Sequence, residues 1–175
     1  MGLSMIEPKQ RIACAIGSYV LLSQEVEQLF KFVIPVTNDR DPSFAAILAR
    51  RCALERETLG SVSGKFLRSL NSSTDEIEHL LTEVVAERNQ IIHHFSSAFG
   101  DLLAAENYNE TLRLLEQRHQ RMRQVLMMLR GLALAVLELM RDGPFRDTLE
   151  FDEMATLCAS LRGIWKITPS LDATS

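Results

Sequence analysis

Over residues 8–33 the apolar positions Ile12, Ile16, Tyr19, Leu22, Val26, Leu29 and Val33 recur at steps of three and four, so they form one stripe of a helix. Pro35 and the cluster Asn38-Asp39-Arg40-Asp41-Pro42 end it. A second helix is predicted over about 43–57, with Ser43 as its cap and Phe44, Ile47, Leu48, Cys52 and Leu54 as its apolar residues. Residues 58–70 form a weaker, glycine-punctuated piece. Ser73-Thr74-Asp75-Glu76 is a capping box, in which the Ser73 hydroxyl accepts from the Glu76 amide while that carboxylate reaches back. It opens a long helix that should run to about residue 99, with the inner stripe Ile77, Leu81, Val84, Arg88, Ile91 or Ile92, Phe95 and Phe99. Arg88 stands where an apolar residue belongs. After Gly100, the positions Tyr108, Leu112, Leu115, His119, Met122, Leu126, Leu129, Ala133, Val136 and Met140 keep a four-three spacing, a heptad-like seam interrupted only by His119. Gly143-Pro144 stops this helix. A short helix over 152–161 is expected to pack as a lid.

The expected fold is all-α: a compact bundle of four to five helices forming a single domain over 1–165, followed by a frayed polar tail over 166–175. Composition agrees with this, since 46% of the 175 residues are apolar and there are only 8 Gly and 5 Pro. No internal repeat or low-complexity segment is present. The three cysteines, Cys14, Cys52 and Cys158, are odd in number and form no C-x-x-C pair, so they are expected to be reduced and buried. The start of the chain lacks the pattern of a signal peptide, and Ile6 stands where myristoylation wants Ser or Thr. The most apolar stretch, 125–140, is interrupted by Arg130 and Glu138 and falls short of the ~20 residues of a span. No membrane association is expected, and the location is expected to be cytoplasmic.

A formal net charge of -4 argues against bulk coating of nucleic acid, so any such contact must be local. Arg113, Arg118, Arg121, Arg123 and Arg130 could form a basic strip for RNA, with Arg113, Arg118 and Arg121 the foremost candidates. Glu110, Glu116 and Glu138 are interleaved, however, and a solvated helix face is the alternative. No convincing recognition helix for DNA is present. Nor is there a phosphate loop, a nucleophile elbow or a paired-carboxylate motif.

The chemically informative segment is Glu87-Arg88-Asn89-Gln90-Ile91-Ile92-His93-His94-Phe95. An Arg followed by a polar residue, then four intervening residues and a His near the end of a bundle helix, resembles the active-site motif of the HEPN ribonucleases. His94 fits the same pattern with five intervening residues. The resemblance extends weakly over much of the chain and is specific in about eight residues. Spacing alone carries little weight. With fifteen Arg and four His in 175 residues, about one chance match is expected, and Arg113 with His119 is such a decoy. Context favours Arg88: the adjacent Asn89, the capped helix, the paired His and the placement of a charge on an apolar stripe. A guanidinium turned toward a core must be paired or lie at a crevice or interface. The plainer alternative is that Arg88 snorkels to solvent or pairs with Glu83 or a distant carboxylate.

The five-residue offset rotates His93 by about 140° from Arg88 on an ideal helix. Either the helix loosens after Arg88, or the Arg of one subunit meets the His of another. Asn89, four residues before His93, can orient it. The resemblance implies a homodimer with facing motifs and a metal-independent endoribonuclease, in which the RNA 2′-hydroxyl attacks the adjacent phosphorus. A 2′,3′-cyclic phosphate and a 5′-hydroxyl result. His93 is then the general acid/base, Arg88 the phosphate holder and Asn89 an orienting residue. His94 is a second proton-transfer group or a structural histidine beside Phe95. No cofactor and no metal are implied, because His93 and His94 point apart and belong to no ligand set. His79 is expected at the surface, and His119 as a satisfied core histidine. The implied biology is a toxin with a protein antitoxin, or a phage-defence effector. The alternative is a catalytically inactive HEPN-like dimerisation or protein-interaction module.

Overall fold

The computed structural model describes residues 7–37, 41–70, 75–143, 146, 148–153 and 156. They form α1 (Pro8–Val33), α2 (Phe44–Leu54), α3 (Leu59–Ser69), α4 (Asp75–His93), α5 (Phe95–Ala104) and α6 (Tyr108–Asp142). A further helical turn lies at 149–153, and there is no strand among the described residues. The helix count exceeds the expected four to five for two reasons. The segment over 58–70 is a full helix, and the helix expected to run unbroken to residue 99 divides at His94. In α3 the glycines do not mark a break. A Cβ on Gly60 would lie 3.3 Å from Val85 Cγ1, so glycine there permits a close approach of α3 to α4.

The architecture centres on α6, whose 35 residues span roughly 52 Å at 1.5 Å per residue. Of the expected seam, Leu115, His119, Met122, Leu126, Leu129, Ala133, Val136 and Met140 are buried and Tyr108 and Leu112 half-buried, while Thr111 and Val125 are buried beside it. The helix α1 covers the seam and runs parallel to it: Lys9 lies over Tyr108, Tyr19 meets His119, and Glu25 pairs with Arg130 at 2.7 Å. In contrast, α4 runs antiparallel to α6, because Glu87 meets Arg121 while Gln90 meets Arg118. The α3 helix closes the core through Phe66, whose ring lies 5.2 Å from that of Phe30.

Polar contacts secure the ends. Ser43 caps α2 by accepting from the Ala46 amide. The buried Lys31 Nζ donates to Glu27 Oε1 at 2.7 Å and to the Glu55 carbonyl at 2.9 Å, tying α1 to the end of α2. Between α5 and α6, Glu106 adopts φ 52°, while the Asn107 amide donates to the Leu102 carbonyl and the Glu106 amide to that of Leu103. This is a Schellman closure, and it turns the chain into α6.

Cys14 and Cys52 are exposed, correcting the expectation of burial. Each lies on the outer side of its helix, off the stripe that packs inward. Cys158, Ser73 and Thr74 of the capping box, most of the expected lid over 152–161, and the tail over 166–175 lie outside the described residues. No helix among the described residues is long and apolar enough to cross a membrane.

His119 is 4% exposed. Its ring packs edge-on against Tyr19, and its Nδ1 bonds the Leu115 carbonyl at 2.9 Å. Burial pushes its pKa below the ordinary histidine value, with Arg123 adding to the effect and the Leu115 and Ala15 carbonyls and Glu116 opposing it. Because only the unfolded chain takes up this proton readily, His119 supports stability above the ordinary value. That support begins to be lost as pH falls below about 6.5, the unfolded value, and is gone below the lower value of the folded state. Urea titrations should therefore show the wild type losing more stability than His119→Gln on acidification, by up to about 1.4 kcal/mol per pH unit. Leu129→Ala, at a fully buried seam position, should cost about 2–5 kcal/mol in the same measurement.

Candidate functional site

The helix axis is interrupted by one residue. His94 leaves helical geometry (φ -131°, ψ 28°), although its amide still donates to the Gln90 carbonyl and its own carbonyl accepts from Ala98. Neither proline nor glycine occupies the break, so apolar periodicity runs through it unmarked. Phe95 and Phe99 stack 4.8 Å apart just beyond it and hold the start of α5 to the core.

At this break Arg88 and His93 come together within one chain. Arg88 Nη1 lies 3.0 Å from His93 Nε2 and donates at 3.1 Å to Asn89 Oδ1. The structure uses neither geometry expected from the sequence, since α4 stays helical through both residues and they meet within one chain. The long Arg side chain bridges the rotation, and the helix ends immediately after His93. A guanidinium can only donate, so in this contact Nε2 accepts and a neutral imidazole carries its proton on Nδ1. Arg88 is half-buried, as its place on the inner stripe requires, and its Nε has no hydrogen-bond partner among the described residues. His93, His94 and Asn89 are exposed. The rings of His93 and His94 stand 6.4 Å apart, at 70° to one another. Asn89 touches Arg88, and no bond between Asn89 and His93 is formed.

Behind this pair lies a charge cluster that sequence reasoning left unassembled. Glu87 accepts from Arg121 through both carboxylate oxygens, the Nε contact being 3.1 Å, and lies 4.0 Å from Arg118 Nε. Arg118 also donates to Gln90 Oε1 at 2.8 Å, and its guanidinium sits 4.8 Å above the Phe99 ring. Burial lowers the Arg118 pKa, with Glu87 opposing, whereas the bond to Glu87 raises that of Arg121. Tyr19 sits at the inner end, fully buried, its hydroxyl without a partner among the described residues. Burial and then the Glu87 charge push its pKa up, while Arg118, Arg121 and Arg88 oppose. One signal could have exposed this cluster: Tyr19 on an apolar stripe carries a hydroxyl that needs a neighbour.

The three candidate RNA-binding arginines separate here. Arg118 and Arg121 converge on Glu87, while Arg113 forms a two-bond surface pair with Glu110 at 2.7 and 2.6 Å. The decoy pair is thereby dismantled, because Arg113 is exposed and His119 lies in the core. His79 is at the surface, 3.7 Å from Glu83. Beside the cluster, an open groove of about 490 Å³ is lined by Asp75, Glu76, His79, Glu83 and Arg121 among others. Its acidic rim repels phosphates, so the cationic character is local to the helix break. Among the described residues, no group of three or more His, Cys, Asp or Glu side chains is gathered as a metal set.

No family model, curated protein or solved structure matches the chain.

Glu87→Gln removes the one carboxylate shared by two partly buried arginines. It should lower stability by about 1–3 kcal/mol in urea denaturation. Arg113→Gln, which breaks only an exposed pair, should stay within about 0.5 kcal/mol of wild type.

Proposed function

We propose that this protein is a metal-independent endoribonuclease of HEPN type. The observation that carries this reading is the 3.0 Å contact of Arg88 Nη1 with His93 Nε2 at an exposed helix break, made by a guanidinium whose own contacts among the described residues are neutral. In the free protein Arg88 occupies the imidazole lone pair. A phosphodiester is a stronger acceptor than imidazole, so its arrival draws the Arg88 donors onto the nonbridging oxygens and frees Nε2. His93 Nε2 then takes the proton of the 2′-hydroxyl as the 2′-oxygen bonds to phosphorus. The bond from phosphorus to the 5′-oxygen breaks, and that oxygen takes up a proton delivered by His93, with His94 as a second candidate donor. Charge gathering on phosphorus oxygens during the step is offset by Arg88. Asn89 holds the guanidinium through its 3.1 Å contact and so acts as a positioning residue.

A toxin or phage-defence effector in the cytoplasm, working as a homodimer and restrained by an antitoxin protein, is the biological setting this chemistry suits. A second reading, an inactive HEPN-like dimerisation or protein-interaction module, draws on a different observation. Met127 and Leu134, seven residues apart on α6 and so on one side of it, are 63% and 46% exposed.

Purified protein should cut single-stranded RNA in excess chelator, leaving cyclic phosphate ends. His93→Ala and Arg88→Ala should each reduce the rate by about 10²–10⁴-fold while retaining helical circular dichroism. Undiminished cutting by either variant would remove these residues from the mechanism. If no preparation cuts RNA and Arg88→Ala instead changes the sedimentation mass, the interaction module is the correct reading.

A further inference from the structure

The cluster behind Arg88 has a surplus of positive charge and of hydrogen-bond donors. Arg118 and Arg121 face Glu87, Arg121 takes both of its oxygens, and Glu83 also acts on Arg121 from further off. Arg118 is left 4.0 Å from it, with a neutral amide, Gln90, as its direct acceptor. Arg88 is bonded to two neutral groups. Arg88 Nε, Arg118 Nη1 and Tyr19 Oη are buried with no hydrogen-bond partner among the described residues. Desolvated guanidinium groups with unmet N–H donors are costly unless an anion completes them. The acceptor that fits is one with several charged oxygens.

From this we infer that Arg118 forms a second phosphate-binding position beside the Arg88–His93 pair, so that RNA is held at two neighbouring phosphates. The inference rests on the ribonuclease reading for its ligand but not for its geometry. Arg118 reaches the surface where it bonds Gln90, and the buried Tyr19 lies within reach of the charges of both Arg118 and Arg88. A swivel of the Arg118 guanidinium within its own plane turns its unmet Nη1 toward a strand lying across the helix break. The Phe99 ring beneath the guanidinium holds its plane. Glu87 competes with the incoming phosphate for Arg118, setting the affinity of this position without touching the reacting atoms.

The test is anisotropy titration of a non-cleavable 2′-O-methyl RNA oligonucleotide over a range of salt. Arg118→Gln should weaken binding about tenfold and reduce the slope of log affinity against log salt by about 0.7, the value for one phosphate of a single strand. Arg118→Lys, which keeps the charge, should retain the slope. Glu87→Gln should tighten binding severalfold, and it serves as the decisive variant if Arg118→Gln does not fold. If Arg118 is only a strut between α6 and α4, stability falls in these variants while slope and affinity stay at wild-type values, and the inference is overturned. Retention of inorganic phosphate without RNA binding overturns it as well. Cleavage of ordinary RNA is scored separately. A wild type that binds as described but never cuts keeps the second phosphate position and loses the ribonuclease reading, whereas one that cuts while Arg118→Gln binds normally does the reverse.

Discussion

The long seam of α6 is the constraint from which the rest of the arrangement follows. A 35-residue helix with Leu115, Met122, Leu129, Ala133 and Met140 along one side must have that side covered, because water-exposed apolar surface of this extent is unfavourable by tens of calories per Å². Here α1 supplies the cover by lying parallel to it. Parallel neighbours cannot be joined by a short turn, so the chain has to travel back before α6 begins. Most of that return is made by α4, with α2 and α3 leading into it and α5 leading out. The antiparallel contact of α4 with α6 is a consequence of how the seam is covered.

That contact brings together charges far apart in sequence. Glu87 and Gln90 lie three residues apart on α4 and so share a side of it. They meet Arg121 and Arg118, which lie three residues apart on α6. With two arginines on one carboxylate and a third guanidinium alongside, the junction is cationic in a chain whose net charge is -4. The acidic groove along the first half of α4 makes the contrast sharper. Positive side chains thus gather near the helix break and carboxylates along the first half of the same helix.

The break itself connects fold to chemistry. Arg88 and His93 both belong to α4, and the long Arg side chain spans the rotation between them. Ending α4 at His93 and restarting at Phe95 leaves the imidazole exposed and within reach of a side chain anchored in the core. The Phe95–Phe99 stack and the Schellman closure after α5 hold the far side of the break in place.

From periodicity alone, α1 emerges with its observed bounds, the cap at Ser43 is identified, and the buried side of α6 is given nearly residue by residue, because local backbone preference and burial follow the same 3.6-residue repeat. The unusual placement of Arg88 was equally legible, since a charge on an apolar stripe violates that repeat. Periodicity does not encode which helix lies beside which. The α3 helix escaped it because its glycines serve close packing against Val85, and the break at His94 escaped it because no proline or glycine marks the position. The roles of Tyr19, Glu87 and Gln90 depend on neighbours 28 to 34 residues away or more. Only the tertiary structure selects those neighbours, because Coulomb and hydrogen-bond energies depend on distance in space and not on separation along the chain.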